Sequence, residues 1–196
     1  MYIGDTTDGS GLHNMIYEIV YNSINEALSG FADRIDVIFN RDGSCTVRDN
    51  GRGIPTDLHP ILAVSAAEVI MTQLHAGGKF SQTAYDVPGR LGGVGVSVIN
   101  ALSEWLDLRI WRNGKEHHMR FTYGESIAPL AVVREVKEMR GTEITFSPIK
   151  DIFADVSFDF ARIDHRLREL AAHATGTTIA LRDERSDQTR EAVYRY

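Results

Sequence analysis

The chain has 196 residues, 43% of them hydrophobic and 24% charged, the make-up of a compact globular protein that can bury a core without disulfides or metals. A formal charge of −6 and a pI near 5.6 exclude an extended nucleic-acid surface, because neutralising phosphates takes clustered Lys and Arg. A single cysteine, Cys45, excludes an internal disulfide, and the sequence shows no secretion signal and no apolar run that spans a bilayer, so a cytoplasmic location without membrane contact is expected.

The first predicted helix begins near Gly11 and stops at Ser29-Gly30, where glycine suits a left-handed cap. Met15, Ile16, Ile19, Val20, Ile24, Ala27 and Leu28 form its apolar stripe, while Glu18, Asn22, Asn25 and Glu26 share a second face with no Lys or Arg. Asn is a weak helix former and a solvated face usually mixes signs, so this face of acids and amides calls for a function. A hairpin follows, with Ile35, Val37 and Phe39 alternating, a turn at Asp42-Gly43, and Cys45 and Val47 alternating again. It runs into "DNGRGIP", after which Ser65 and Glu68 make a capping-box pattern ahead of a second helix. The stretch "AGGKFSQTAYDVPGRLGGVG", residues 76–95, reads as a mobile loop or a binding loop.

"VGVSVINALS" reads as a short buried helix. Strand-like runs come next at "WLDLRIW", "HHMRFTY", "LAVVREV" and "GTEITFSP", the first two joined by a turn at Asn113-Gly114. A last helix carries the stripe Phe160, Ile163, Leu167, Leu170 and Ala171 and stops at Gly176, and "TTIALRDE" and "REAVYRY" read as a final strand pair. With no repeat and no linker, this order predicts one α+β domain over 1–196, a mostly antiparallel sheet covered by helices.

Three stretches carry candidate chemistry. Gly92, Gly93 and Gly95 precede a helix, whose first N–H groups and dipole can hold a phosphate, although most glycine-rich turns are plain loops. Asp49 ends a predicted strand. It is either a loop-capping residue beside a surface Arg52, or a buried acceptor for the amino group of a purine whose ring lies against Gly53 and Pro55. On the helix face Glu18 is a candidate general base for an attacking water, Asn22 a neutral oxygen ligand for Mg²⁺, and Glu26 a partner for Arg52; the alternative for each is solvated surface.

Taken together, "MYIGD", "GLHNMIYEIVYNSINEAL", "DNGRGIP", "HPILAVSAAEVIMTQLHAGGKF", "GVGVSVINALS" and "RGTEITF" resemble, in order and along nearly the whole chain, the ATP-binding domain of the DNA gyrase B family. The ATPase subunit of topoisomerase IV is the near neighbour, and Hsp90 and the histidine kinases belong to the wider superfamily. The resemblance implies a GHKL-type (Bergerat) two-layer sandwich of mixed sheet with helices on one face, and ATP and Mg²⁺ as cofactors. It implies Glu18 as catalytic base, Asn22 as the metal ligand, and Asp49 as the adenine-binding carboxylate, with Gly53 and Thr142 nearby through water. Glu26, Arg52, Ile54, Pro55, Ile70 and Val96 fall around the same pocket. Lys79, Tyr85, Leu91, Gly93, Val94 and Gly95 match the lid over the phosphates, and Arg112 the rim position used by aminocoumarin inhibitors.

The activity so implied is ATP-driven DNA strand passage, shared with a gyrase A-like cleavage subunit in a heterotetramer, with DNA held by regions outside this chain. An N-terminal arm and a second domain whose lysine reaches the γ-phosphate are expected in a longer subunit, so the chain alone should bind ATP with little turnover. The family usually has Asp where this chain has Tyr21 and Asn25, and a lid reading Gly-Gly-Leu-His-Gly where this chain has "GRLGG", with Arg90 and Gly92. Those departures keep two other expectations open: a nucleotide-binding switch that does not hydrolyse, and a topoisomerase IV subunit.

Overall fold

A computed structural model describes residues 3–74 and 95–196. Helix α1 spans Ser10–Leu28 and buries Met15, Ile16, Ile19, Val20 and Ile24, the predicted stripe, before Gly30 turns left-handed at φ 79°. Strands β1, Arg34–Phe39, and β2, Cys45–Asp49, form the predicted hairpin, closed where Phe39 pairs with Cys45 and Gly43 takes φ 85°. Helix α2, Ala66–Thr72, starts on Ser65, whose Oγ accepts from the Glu68 N–H at 3.1 Å.

Helix α3, Val96–Ala101, leads into β3, Ser103–Arg112, and β4, Lys115–Thr122, joined by Asn113 and Gly114 at φ 53° and 73°, the double left-handed turn that hairpins favour. Then come β5, Glu125–Ser126, β6, Ala131–Glu135, β7, Gly141–Pro148, helix α4, Phe160–His173, β8, Thr178–Asp183, and β9, Arg190–Tyr194. Glu68 Oε1 accepts from Ser126 Oγ at 2.8 Å, so the residue expected in a capping box also ties α2 to β5.

The strands make one sheet in the order β5-β4-β3-β7-β2-β1-β8-β9, with β6 also pairing along β4. Every pairing is antiparallel except β1 with β8. The period of two sorts the side chains. Val37, Phe39, Val47, Phe146, Ile144, Leu106, Leu108, Met119 and Phe121 are buried in one core with the stripes of α1 and α4. Each such side chain contributes about 1.5–3 kcal/mol when fully buried. Phe158, just before α4, stacks on Phe39 at 5.4 Å and meets Phe146 edge-on at 6.0 Å, which seats the helix against the sheet centre. The alternate residues of the same strands pair by charge: Arg109 and Arg134 both grip Glu116, at 2.7 and 2.6 Å, and Arg120 grips Asp107 at 2.8 Å. Among the described residues no helix is long and apolar enough to cross a membrane.

Candidate active site

The centre of the site is Asp49, the last residue of β2 and 7% exposed. Because β2 alternates, Asp49 stands on the same side as Val47 and opposite Ile35, on the helix face. Ser23 of α1 donates to its Oδ2 at 2.8 Å and the Gly51 N–H to its Oδ1 at 2.9 Å. Burial pushes the Asp49 carboxyl above the ordinary carboxylate range; the bonds from Gly51 and Ser23 pull against that, and the charge of Glu26 adds to it.

Two glycines let the chain close around this carboxylate. A Cβ on Gly141, whose φ is 132°, would stand 2.0 Å from the Asp49 carbonyl oxygen. A Cβ on Gly53, at φ 79°, would meet Trp111 O at 2.9 Å and Ile110 Cγ2 at 3.0 Å. Thr142 lies directly across from Asp49 in the sheet, and its Oγ1 accepts from the Ile54 N–H at 3.1 Å, so it fixes the "GRGIP" loop as well as neighbouring the carboxylate. Arg112, at the end of β3, reaches the same loop, its Nη1 donating to the carbonyls of Arg52 and Gly53 at 3.3 and 2.8 Å.

Glu26 and Arg52 are paired as expected. Glu26 accepts from the Arg52 backbone N–H and Nε, both at 3.1 Å, and from Nη2 at 2.6 Å, while the guanidinium lies over Phe31 at 3.8 Å. Burial alone would raise the Glu26 carboxyl, but the bonds from Arg52 outweigh it and hold the group below its usual range.

Glu18 lies two turns before Glu26 on α1, about 12 Å along the axis. Its Oε2 accepts from the Gly95 N–H at 3.4 Å, so an N–H assigned to phosphate by resemblance is directed at the candidate base. Asn22, between them, is exposed and donates its Nδ2 to the Glu18 carbonyl at 3.2 Å. Among the described residues no cluster of three or more His, Cys, Asp or Glu groups could cage a metal. A Mg²⁺ that keeps most of its waters needs only one or two protein oxygens, and the amide oxygen of Asn22 is the atom that suits it.

Ile70 and Val96 are 9% and 6% exposed and sit in the core cluster, against which Ile54 packs; Pro55 is half-buried. Tyr21 turns to α4, where its hydroxyl accepts from Arg166 Nη2 at 2.9 Å, and the Asn25 carbonyl accepts from Ser29 Oγ at 2.7 Å. Residues 75–94 lie outside the described residues, and with them the expectations for Lys79, Tyr85, Leu91, Gly93 and Val94 and the departures at Arg90 and Gly92. Sequence reasoning missed Ser23 as the partner of Asp49. Its signal was a hydroxyl next to Asn22 where the helix turns from its polar face to its apolar stripe.

A sheet whose first helix lays a Glu, an Asn and a Ser past a buried strand-end Asp, with glycines letting the neighbouring loop close on that strand, is the arrangement of a nucleotide-binding ATPase. This chain belongs to the histidine kinase-, DNA gyrase B- and HSP90-like ATPase family, whose model matches residues 7–152. It is similar to the DNA gyrase B protein of Rickettsia conorii, 59% identical over 196 residues, covering all of this chain and 24% of that protein. To the gyrase B protein of Caulobacter vibrioides it is 56% identical over 195 residues, 94% of this chain and 24% of the relative, and to that of Synechocystis 48% identical over 197 residues, 100% of this chain and 18% of the relative. The chain therefore spans at most about a quarter of these relatives. Among solved structures, the 43K ATPase domain of Thermus thermophilus gyrase B in complex with an aminocoumarin matches with TM-score 0.87 and 42% identity, over 100% of this chain and 48% of that one.

Proposed function

We propose that this chain is the ATP-binding and ATP-hydrolysing part of a gyrase B-type subunit of a type II DNA topoisomerase, in which nucleotide binding and turnover drive DNA strand passage and supercoiling. The observation that carries the reading is Asp49, a carboxylate 7% exposed and fixed from two sides by Ser23 and Gly51, beside a loop that Gly53 lets pack closely against Ile110, Trp111 and Gly141. A buried acceptor of that kind selects an amino group on a flat base, because a ligand without one covers the carboxylate and leaves its remaining lone pairs without a donor.

The remaining roles follow the line of α1. Ser23 orients the Asp49 carboxylate, and Glu26 holds Arg52 and the loop that carries Gly53. Glu18 takes the proton from the water that attacks the terminal phosphate. The Asn22 amide oxygen would hold Mg²⁺, which when bound neutralises phosphate charge. Lys79, Tyr85, Leu91, Gly93, Val94 and Gly95 belong to this reading as the lid, and Arg112 as the rim of a cleft that also takes aminocoumarins. The working assembly pairs the longer subunit with a gyrase A-like cleavage subunit in the cytoplasm.

Titration with a non-hydrolysable ATP analogue tests the base assignment: Asp49→Asn is expected to weaken binding roughly 10- to 100-fold. Unchanged affinity would sink it. In the longer subunit with its cleavage partner, Glu18→Ala is expected to lower DNA-stimulated hydrolysis on the order of 10²- to 10⁴-fold while analogue binding persists. Hydrolysis indifferent to that change would leave a binding switch rather than an enzyme.

A further inference from the structure

Phe31 follows the Ser29-Gly30 stop of α1 and is 37% exposed, a large aromatic ring left at the surface. The end of the helix puts it there. Its N–H donates to the Glu26 carbonyl at 2.9 Å and the Gly30 N–H donates to the Ala27 carbonyl at 2.9 Å, the paired closing bonds of a helix that ends on a left-handed glycine. An apolar contact from the residue after such a glycine commonly finishes the cap. Here the ring of that residue lies under the Arg52 guanidinium, whose central carbon is 3.8 Å from the ring centroid.

Glu26 holds both members of this stack. Its backbone carbonyl fixes Phe31, while its carboxylate accepts from the Arg52 backbone N–H, Nε and Nη2. The carboxylate secures the planar guanidinium along one edge, and the ring supports it across its face, where a cation is drawn to the π-system. The next residue back carries the assembly to Asp49. A Cβ on Gly51 would stand 2.9 Å from Glu26 Oε2 and 3.0 Å from Asp49 Oδ1, so both carboxylates close on a single glycine. A shift of Arg52 is therefore transmitted to the turn whose N–H at Gly51 also bonds Asp49.

We infer that Phe31 is a positioning residue of the nucleotide site. It acts through Arg52, bracing the guanidinium against Glu26 so that Arg52 and the loop it belongs to stand ready beside Asp49 when a purine nucleotide binds. The inference rests on the nucleotide reading, which puts Arg52 at the pocket and gives Phe31 no part.

The test uses the 196-residue chain with ¹⁵N-labelled arginine and a non-hydrolysable ATP analogue, the Arg52 Nε–H signal being assigned by its loss in Arg52→Met. Phe31→Leu keeps the apolar bulk and removes the π face. It is expected to weaken analogue binding about two- to fivefold and to shift the Arg52 Nε–H signal as the ring current beneath it is lost. Phe31→Tyr should restore both, and Phe31→Leu placed on Arg52→Met should weaken binding no further. That last result separates action through Arg52 from a general loosening of the loop, which would cost affinity in either background. Affinity unchanged in Phe31→Leu, a Phe31→Tyr protein as weak as Phe31→Leu, an equal loss on Arg52→Met, or an unmoved Nε–H signal each overturns the inference. An analogue that does not bind the parent, or binds Asp49→Asn equally well, removes the nucleotide reading and the role of Phe31 with it, while the Nε–H signal still reports the stack itself.

Discussion

The Ser23 hydroxyl donates to the buried Asp49 carboxylate at 2.8 Å, joining the middle of α1 to the end of β2. Ser23 is itself 2% exposed, so this bond lies inside the protein rather than at its surface. It is one of the bonds that pull the Asp49 carboxyl back down against the upward push of burial.

Asp49 should therefore trade stability for binding. Its carboxyl is raised in the folded chain, chiefly by burial, so the folded state holds a proton more tightly than the unfolded one. Stability is then greatest below the unfolded value near 3.9 and falls as pH rises toward the folded value, above which the penalty is constant. Asp49→Asn is expected to raise the neutral-pH melting temperature while weakening analogue binding, and its advantage should shrink in acid. Ser23→Ala should act oppositely on stability, costing about 1–2 kcal/mol by leaving the carboxylate short of a donor. Melting curves at pH 7 and pH 4 on both variants check the signs; an Asp49→Asn protein that melts lower than the parent at pH 7 refutes the trade.

Gly141→Ala is expected to be among the most damaging single methyl additions. The new Cβ would lie 2.0 Å from the Asp49 carbonyl oxygen, a backbone atom, at a φ of 132° that other residues rarely adopt. The β2–β7 pairing between Asp49 and Thr142 would have to open, at a cost of roughly 3 kcal/mol or more. Alanine at Gly43, where nothing lies within 4 Å of the added carbon, is the control and carries only the strain of φ 85°. Denaturant midpoints compare them, and equal losses would show that the clash is relieved elsewhere.

The legible parts of the fold are those written in local period. The α4 stripe from Phe160 to Ala171 matches the buried residues of that helix one for one, and Asn113-Gly114 marks the β3–β4 turn because both take left-handed φ. The Glu26–Arg52 pair is legible too, an acid on a face without bases opposite a loop arginine. The parallel pairing of β1 with β8 leaves no local trace, since Arg34 meets Thr178 only after α4 has carried the chain back across the sheet. Strand β5 is two residues long and beneath any periodic signal. Tyr21 reads in sequence as a missing carboxylate of the site, but its partner is Arg166 of α4, a contact that tertiary packing alone decides.

Glu26 and Arg52 should couple measurably. Their side chains are 26% and 38% exposed, so solvent screens the pair, yet three hydrogen bonds converge on the carboxylate. A double-mutant cycle with Glu26→Gln and Arg52→Met is expected to give a coupling near ~1 kcal/mol, at the upper end for exposed pairs. Because the Glu26 carboxyl is held low, this contribution is present above its unfolded value near 4.3 and disappears as pH falls through the lower folded value. A coupling of zero at pH 7 would reduce the pair to a contact with no energetic role.

His13 also loses stability toward acid, but from a higher starting pH. Buried to 4% exposure, it contacts the Gly9 carbonyl through Nδ1 at 2.6 Å and accepts the Asp159 N–H on Nε2 at 2.8 Å. Those two contacts fit only the neutral ring protonated on Nδ1. Asp159 is the N-cap of α4, so the ring pins the start of α4 to the first turn of α1. Burial and then the Arg162 charge lower the His13 value, against the Gly9 bond and the charges of Asp159 and Asp155. Above the unfolded value near 6.5 both states are neutral and the pin is intact. As pH falls below it, the unfolded chain takes a proton the folded chain refuses, and stability drops by up to about 1.4 kcal/mol per pH unit until the folded value is reached. His13→Gln, which does not titrate, should start less stable at pH 7.5 and lose less between pH 7.5 and 5.5. The difference between the two melting profiles isolates His13 from the carboxylates, and parallel profiles would mean that the ring does not act as a pin.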